Sequence, residues 1–416
     1  MRPWVVRDVR HLSQDHTAAA EETPGAMSTA DDRFGPGSQA ALRSANQRRV
    51  LEMLKAEGEL TQAQIARDTG LAPATVSNIV RELTAAGILA DAARGQRRKA
   101  VRLARSAGLV VGIDFGHRHV TVAVADMGHE ILVERRHTLG PSVSARDALK
   151  RASALLEEAM TEVGVGMPEV VAIGLGLPAP IDSRTGEVGA VSILPGWVGV
   201  PAAQLASDHF GRHVEVDNDA NMGVLAEHMW GAGQGCENVA FLKLADGVGA
   251  GLVIDGRLYR GRNGTAGEIG HTTFDEFGDV CRCGNRGCLE TIVAARAVVG
   301  LLEPRFGPQL TVADIVRMAE EGDTACNRVL ADTGRQAGVA VANLCNLFNP
   351  ERILIGGELA QAGELLLAPM RESVRRCGIP SSTEDLRIEL ASLGARGPVL
   401  GAVVTALRAS ASRSGG

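Results

Sequence analysis

The chain is 416 residues long, 45% apolar and 22% charged, which is enough for two or three globular cores of ordinary size. No apolar run approaches the about 18 residues of a membrane-spanning helix, and residues 1–40 lack the apolar block of a signal peptide, so a cytoplasmic protein with no membrane partner is expected. The net charge of −6 is unevenly shared: residues 41–106 hold 12 Lys+Arg against 6 Asp+Glu, a local balance of +6, so the remainder carries −12 and only one end suits a polyanion.

Residues 1–40 are rich in Ala, Asp, Gly, Ser and Pro without periodicity and read as a disordered tail; either Met1 or Met27 serves as the start. Residues 41–106 read as three short helices and a basic hairpin. Val50, Leu51 and Leu54 give the first helix an apolar stripe, and Thr61 with Gln64 forms a capping box for the second, which Gly70 ends. Pro73 opens a third helix, although Ala72 stands where Ser would cap it better. Val76, Ile79, Val80 and Leu83 face inward at helical spacing, leaving Thr75, Asn78 and Arg81 outside, and Gly87 stops the run.

That layout is a winged helix-turn-helix, similar to bacterial repressors, whose recognition helix fits a major groove about 12 Å wide. Asn78 suits an adenine edge, Arg81 a guanine or phosphate, and Thr75 a phosphate. Arg94, Arg97, Arg98 and Lys99 in the hairpin turn suit the DNA backbone or the neighbouring minor groove. A small helical bundle that binds protein is the competing reading.

From residue 107 strands and helices alternate. Strands are expected at 109–114, 120–125, 131–138, 169–175, 213–217 and 238–244, the last within a glycine-bounded strand pair at 238–255, and at 352–355, with helices at 144–164, 219–232 and 398–410. Two strand-rich halves with glycine turns argue for a two-lobed α/β body with a cleft: lobe one about 107–220 plus the helix at 398–410, lobe two about 221–397.

Of seven cysteines, three crowd together: His271, Cys281, Cys283 and Cys288 offer three thiolates and an imidazole, a closed tetrahedral shell for a structural Zn2+ with no position left for activated water. Free thiols beside a core histidine are the alternative. Cys236, Cys326 and Cys345 read as buried small residues.

Glu268-x-Gly270-His271 followed by Cys281-x-Cys283-Gly284-x-x-Gly287-Cys288-x-Glu290 resembles the signature of the ROK family, which contains sugar kinases and sugar-responsive repressors, over about residues 107–410. The resemblance implies an actin/hexokinase-like body, and the preceding helix-turn-helix matches the repressor branch. It further implies that Asn218 and Asp219 touch a sugar, with Asp219 as a vestigial general base, joined by Glu268, His271 and Glu290, His271 serving both metal and sugar. Taken alone, Asn218 and Asp219 equally fit a helix N-cap, and Glu268 and Glu290 solvated surface acids. Ile193 stands where the family's kinases place a sugar-binding Asn.

The phosphate side departs from the kinases of the family. Their Asp-x-Gly-Gly-Thr-Lys turn is Asp114-Phe115-Gly116-His117-Arg118-His119 here, so an imidazole stands where backbone must approach phosphate. Asp246 replaces Thr in the second turn; a carboxylate about 4 Å from a phosphate oxygen costs roughly 4 kcal/mol at an effective dielectric near 20. Glu358 follows Gly356-Gly357 where the kinases carry glycine. The expectation is a homodimeric or tetrameric repressor that binds a double-stranded operator and a sugar effector and has lost kinase activity. An ATP-dependent hexose kinase that also binds DNA and a plain dimerisation or docking platform are the competing readings.

Overall fold

The computed structural model describes residues 39–92, 100–140, 143–189 and 193–413. Residues 1–38 of the expected tail and the hairpin turn with Arg94, Arg97, Arg98 and Lys99 lie outside these residues, while the tail's last two positions, Gln39 and Ala40, already belong to the first helix. Contacts divide the chain into residues 1–46 and 47–416; all packing described below belongs to the second unit.

α1 (Gln39–Glu57) buries Val50 and Leu54. β1 (Glu59–Thr61) leads into α2 (Gln62–Thr69), where Thr61 Oγ1 accepts from Gln64 N at 3.3 Å and Gln64 Oε1 accepts from Thr61 N at 2.9 Å, the expected capping box. α3 (Pro73–Ala85) starts without a side-chain cap and turns Val76, Ile79, Val80 and Leu83 inward. β2 (Leu89–Asp91) and β3 (Ala100–Leu103) run antiparallel, and β3 also pairs with β1, giving a three-stranded wing sheet.

Two sheets of one plan follow. β4 (Leu109–Phe115), β5 (His119–Asp126) and β6 (Ile131–Thr138) form an antiparallel meander. After α4 (Ala145–Glu162), β7 (Val170–Leu177) returns parallel to β4, and after α5 (Ala202–Phe210), β8 (Val214–Asn218) lies parallel to β7. α6 (Asp219–Trp230) then leads to the second meander, β9 (Val239–Leu244), β10 (Val248–Ile254) and β11 (Arg257–Leu258). Helices α7 (Glu290–Val293), α8 (Ala295–Phe306), α9 (Val312–Glu320) and α10 (Thr324–Phe348) precede β12 (Arg352–Gly356), which is parallel to β9. α11 (Glu364–Cys377) and α12 (Pro380–Thr383) precede β13 (Arg387–Leu390), parallel to β12, and α13 (Gly397–Arg413) ends the described chain.

The strand orders β6-β5-β4-β7-β8 and β11-β10-β9-β12-β13 are the same order repeated, the duplicated actin/hexokinase-like plan that the sequence leads one to expect. The sequence reading missed β11 and β13. Both are short edge strands, and Arg257, Arg387 and Glu389 interrupt any apolar run, as edge strands commonly do to discourage stray pairing.

α13 lies on β4 and β7 and against α6, which in turn rests on β9 and β10. The contact is backbone on backbone. A Cβ on Gly174 of β7 would stand 1.9 Å from Ala402 O, and one on Gly401 would stand 1.8 Å from Met222 O of α6. Each sheet has its own apolar core. A further cluster joins Val50, Leu54 and Leu103 of the N-terminal module to Val110, Ala123, Val403 and Leu407 of the body, so the module shares a core with the first sheet.

Gly174→Ala should therefore push α13 off its sheet and destabilise the protein by about 1–3 kcal/mol or more. Thermal denaturation should show a melting temperature several degrees lower, with no change if the helix stands further away than described.

Candidate functional site

One cavity of about 680 Å3 opens between the carboxyl ends of the two sheets. Its near half collects residues from both. Asn218 ends β8 and caps α6: its Oδ1 accepts from Ala220 N at 2.8 Å, while its Nδ2 donates to Ala179 O at 3.1 Å. The cap and cavity roles coexist, because Asn218 also lines the cavity.

Asp219, only 5% exposed, forms an ion pair with Lys243 Nζ of β9. Burial raises the Asp219 carboxyl above the usual range, with Lys243 opposing. Burial works against the Lys243 ammonium too, but Asp219 and Asp114 outweigh it and hold the charge in place. Glu268 also lines the cavity; burial, then Asp219 and Glu290, push its carboxyl up to about 7, so it both donates and accepts hydrogen bonds near neutrality.

Glu290 differs from its expected place. It is fully buried behind the cavity wall and is not among the lining residues. Its Oε2 accepts from Val248 N at 3.1 Å and from Arg282 Nη2, and its Oε1 from Arg296 Nη2 at 3.4 Å. With both oxygens engaged, Glu290 props the Asp246–Val248 turn from behind the cavity wall.

His271, Cys281, Cys283 and Cys288 place their ligand atoms within 4.8 Å of one another, a cluster able to hold a metal ion. His271 Nδ1 faces Cys281 Sγ at 3.6 Å, whereas its Nε2 faces Glu268 at 3.9 Å on the cavity side. Burial, and then the Cys283 and Cys281 sulfurs, push the Cys288 thiol up to about 12, so three thiolates at this spot need a cation to balance them. Cys236, Cys326 and Cys345 are buried, as expected of small core residues.

The far half of the cavity is lined by the two glycine turns and their surroundings. Asp114 Oδ2 faces His119 Nε2 at 3.3 Å, and His117 and Arg118 stand beside them. Across the cleft are Asp246 and Glu358; burial, then Asp246, raises the Glu358 carboxyl, and Arg118 offsets this. Ile193 lines the wall as well.

On α3, Thr75 is half-buried while Asn78 and Arg81 are exposed, and Arg81 Nη2 donates to Asn78 Oδ1 at 2.6 Å, holding both groups on one face. The structure thus gathers Asn218, Asp219, Glu268 and His271 at one cavity, sets Glu290 behind it, and keeps Thr75, Asn78 and Arg81 on a separate surface.

The sequence reading missed Lys243 and the contact between module and body. Lys243 had a signal, a lone cation inside the apolar strand Val239–Leu244. The contact had none: His129 in the β5–β6 turn faces Lys55 O of α1 through Nε2 at 2.8 Å, stands edge-on to Trp230 at the end of α6 with ring centroids 6.0 Å apart, and leaves no room for a side chain at Gly58. Beside it Arg102 of β3 pairs with Asp126 at 2.6 Å and Glu130 at 2.9 Å.

Comparison with known proteins places these features. Residues 110–409 match the ROK family model, and residues 43–90 match a winged helix-turn-helix DNA-binding model. The xylose repressor of Caldicellulosiruptor bescii is 29% identical over 385 residues, covering 88% of this chain and 96% of that protein. A crystal structure described as a ROK family transcriptional regulator, a homolog of the Escherichia coli MLC protein, superposes with a TM-score of 0.73 at 27% identity, covering 89% of this chain and 98% of that one. A ROK family glucokinase from Streptomyces griseus, in complex with glucose and AMPPNP, gives 0.64 at 30% identity over 72% of this chain and all of its own.

Removing one partner of the buried Asp219–Lys243 pair should be costly. Lys243→Met is expected to lose about 3–5 kcal/mol, and adding Asp219→Asn should recover most of it. Urea melts of the single and double variants read this out; equal losses in both would assign the cost to packing instead.

Proposed function

The chain belongs to the ROK family, and on that premise we propose that it is a DNA-binding transcriptional repressor whose kinase-like body senses a sugar without phosphorylating it. The observation that carries this reading is the division of the cavity. Its near half keeps Asn218, Asp219, Glu268 and His271 as polar groups for a polyol, while its far half carries His117, Arg118, Asp246 and Glu358 where nucleotide phosphates need glycine and hydroxyl groups. Asp219 is moreover held by Lys243, which competes for the carboxylate that would take a hydroxyl proton.

In this reading residues 41–106 form the operator-binding domain and 107–416 the sensor. Thr75, Asn78 and Arg81 meet the operator through α3; Arg94, Arg97, Arg98 and Lys99 would join them on the DNA backbone, although they lie outside the described residues. A homodimer or tetramer in the cytoplasm would present two recognition helices to a pseudo-palindromic site. His271, Cys281, Cys283 and Cys288 would hold a structural zinc ion, whose charge fixes the orientation of His271 beside the sugar.

The route from sensor to DNA runs along α6. The 12-residue helix is capped by Asn218 in the cavity and ends at Trp230 against His129, about 18 Å away. His129 in turn holds the carboxyl end of α1. A sugar that shifts the start of α6 therefore displaces the DNA-binding module.

Calorimetry against hexoses and amino sugars, run beside operator-binding assays, tests the whole reading; silence across the panel would leave a repressor without a sugar effector. Arg81→Ala should weaken operator binding about 10- to 100-fold while leaving sugar binding intact. His129→Ala should bind both operator and sugar yet lose release of the one by the other. Cys283→Ser should lower the zinc content measured on the purified protein. Brisk ADP release with any sugar, abolished by Asp219→Asn, would restore the kinase reading.

A further inference from the structure

The cavity holds more than one sugar ring needs. At about 680 Å3 it lies well inside the range that encloses drug-sized ligands, and its lining takes in Asn218 and Glu268 as well as Glu358 and Gln361. The similar ROK family glucokinase from Streptomyces griseus is in complex with two molecules, glucose and AMPPNP.

Here the second half has been relined. Asp246 and Glu358 project from the second sheet, and Arg118 faces them from the first. Two carboxylates repel a polyphosphate at this range. The same groups are well matched to hydroxyls: each carboxylate accepts from two, the guanidinium donates to ring or hydroxyl oxygens, and the Gln361 amide does both. Leu390, Ala391, Ala395 and Pro398 supply a low apolar strip beside them, suited to the C–H face of a sugar ring.

We propose that the effector is a two-ring carbohydrate, a disaccharide or a glycoside of similar length, with one ring at Asn218, Asp219, Glu268 and His271 and the second against Arg118, Asp246, Glu358 and Gln361. The assignment rests on the reading of the near half as a sugar site and extends it to the space a nucleotide would otherwise fill. The residues that disable phosphate binding thereby acquire a use: they read the second ring.

Calorimetry on the full-length, metal-loaded protein separates the two claims. The probes are disaccharides of differing linkage (maltose, cellobiose, trehalose and diacetylchitobiose), each beside its component monosaccharide, with AMPPNP as the nucleotide control. At least one disaccharide is expected to bind ten times or more tighter than its monosaccharide, since each hydrogen bond to a charged group is worth about tenfold or more. Asp246→Ala and Glu358→Ala should each lower disaccharide affinity about tenfold and leave monosaccharide affinity within about twofold; unchanged operator binding by these variants shows that they fold. Monosaccharides binding as tightly as every disaccharide, or both variants weakening the two ligands alike, would overturn the two-ring assignment while leaving the sugar site standing. AMPPNP binding that competes with the disaccharide would return the far half to a nucleotide. Silence of every sugar would remove the near-half reading, and the second ring with it.

Discussion

Everything in the body is referred to two helices that lie directly on sheet backbone. α13 touches β7 where Gly174 meets Ala402, and Gly401 of α13 touches Met222 of α6. Close-packed interiors transmit displacement because they have no slack to absorb it. With no side chain between them, a shift in α6 moves α13, and α13 shares its other face with the apolar cluster that includes the DNA-binding module. The glycines thus do more than permit the fold. They make the two sheets and the N-terminal module mechanically continuous.

The same helix organises the chemistry. α6 starts where β8 ends, so its first residues stand at the mouth of the cleft, where the backbone N–H groups are free to meet a cap or a ligand. Asn218 takes the cap, and Asp219 reaches across to Lys243 on the other sheet. An ion pair between lobes, buried on one side, makes the open cleft sensitive to whatever enters it, because a ligand hydroxyl must share the carboxylate with an ammonium. Behind the wall Glu290 gathers Arg282, Arg296 and Val248 N, so the cysteine-rich loop and the second glycine turn are tied to one buried carboxylate. Changes in the loop are therefore felt at the turn.

The residues legible in the sequence were those whose role is local or whose chemistry needs a fixed spacing. The capping box at Thr61 and Gln64, the inward stripe of α3 and the strands of the first meander follow from near-neighbour periodicity, and the His271 and cysteine cluster from a short loop that can close on one ion. Asn218 caps α6 and lines the cavity as well, so the cap does not remove it from the cleft. Glu290 was misplaced because a carboxylate in a motif looks the same whether it faces the cleft or supports it; only the three donors around it tell the difference. Lys243 left a trace, a charge in a central strand, but its partner lies on another element.

From the sequence by itself came the module and body, the repeated strand grammar, the cysteine cluster and the two glycine turns with His117, Arg118 and Asp246, since each is written in residues close together along the chain. Only the tertiary structure decided that Asp219 is paired with Lys243, that Glu290 stands behind the cavity, that Asn218 and Glu358 line the same cavity, and that His129 joins the end of α6 to α1. Those facts depend on contacts between residues far apart in sequence, and no local period records which distant surfaces a close-packed core will press together.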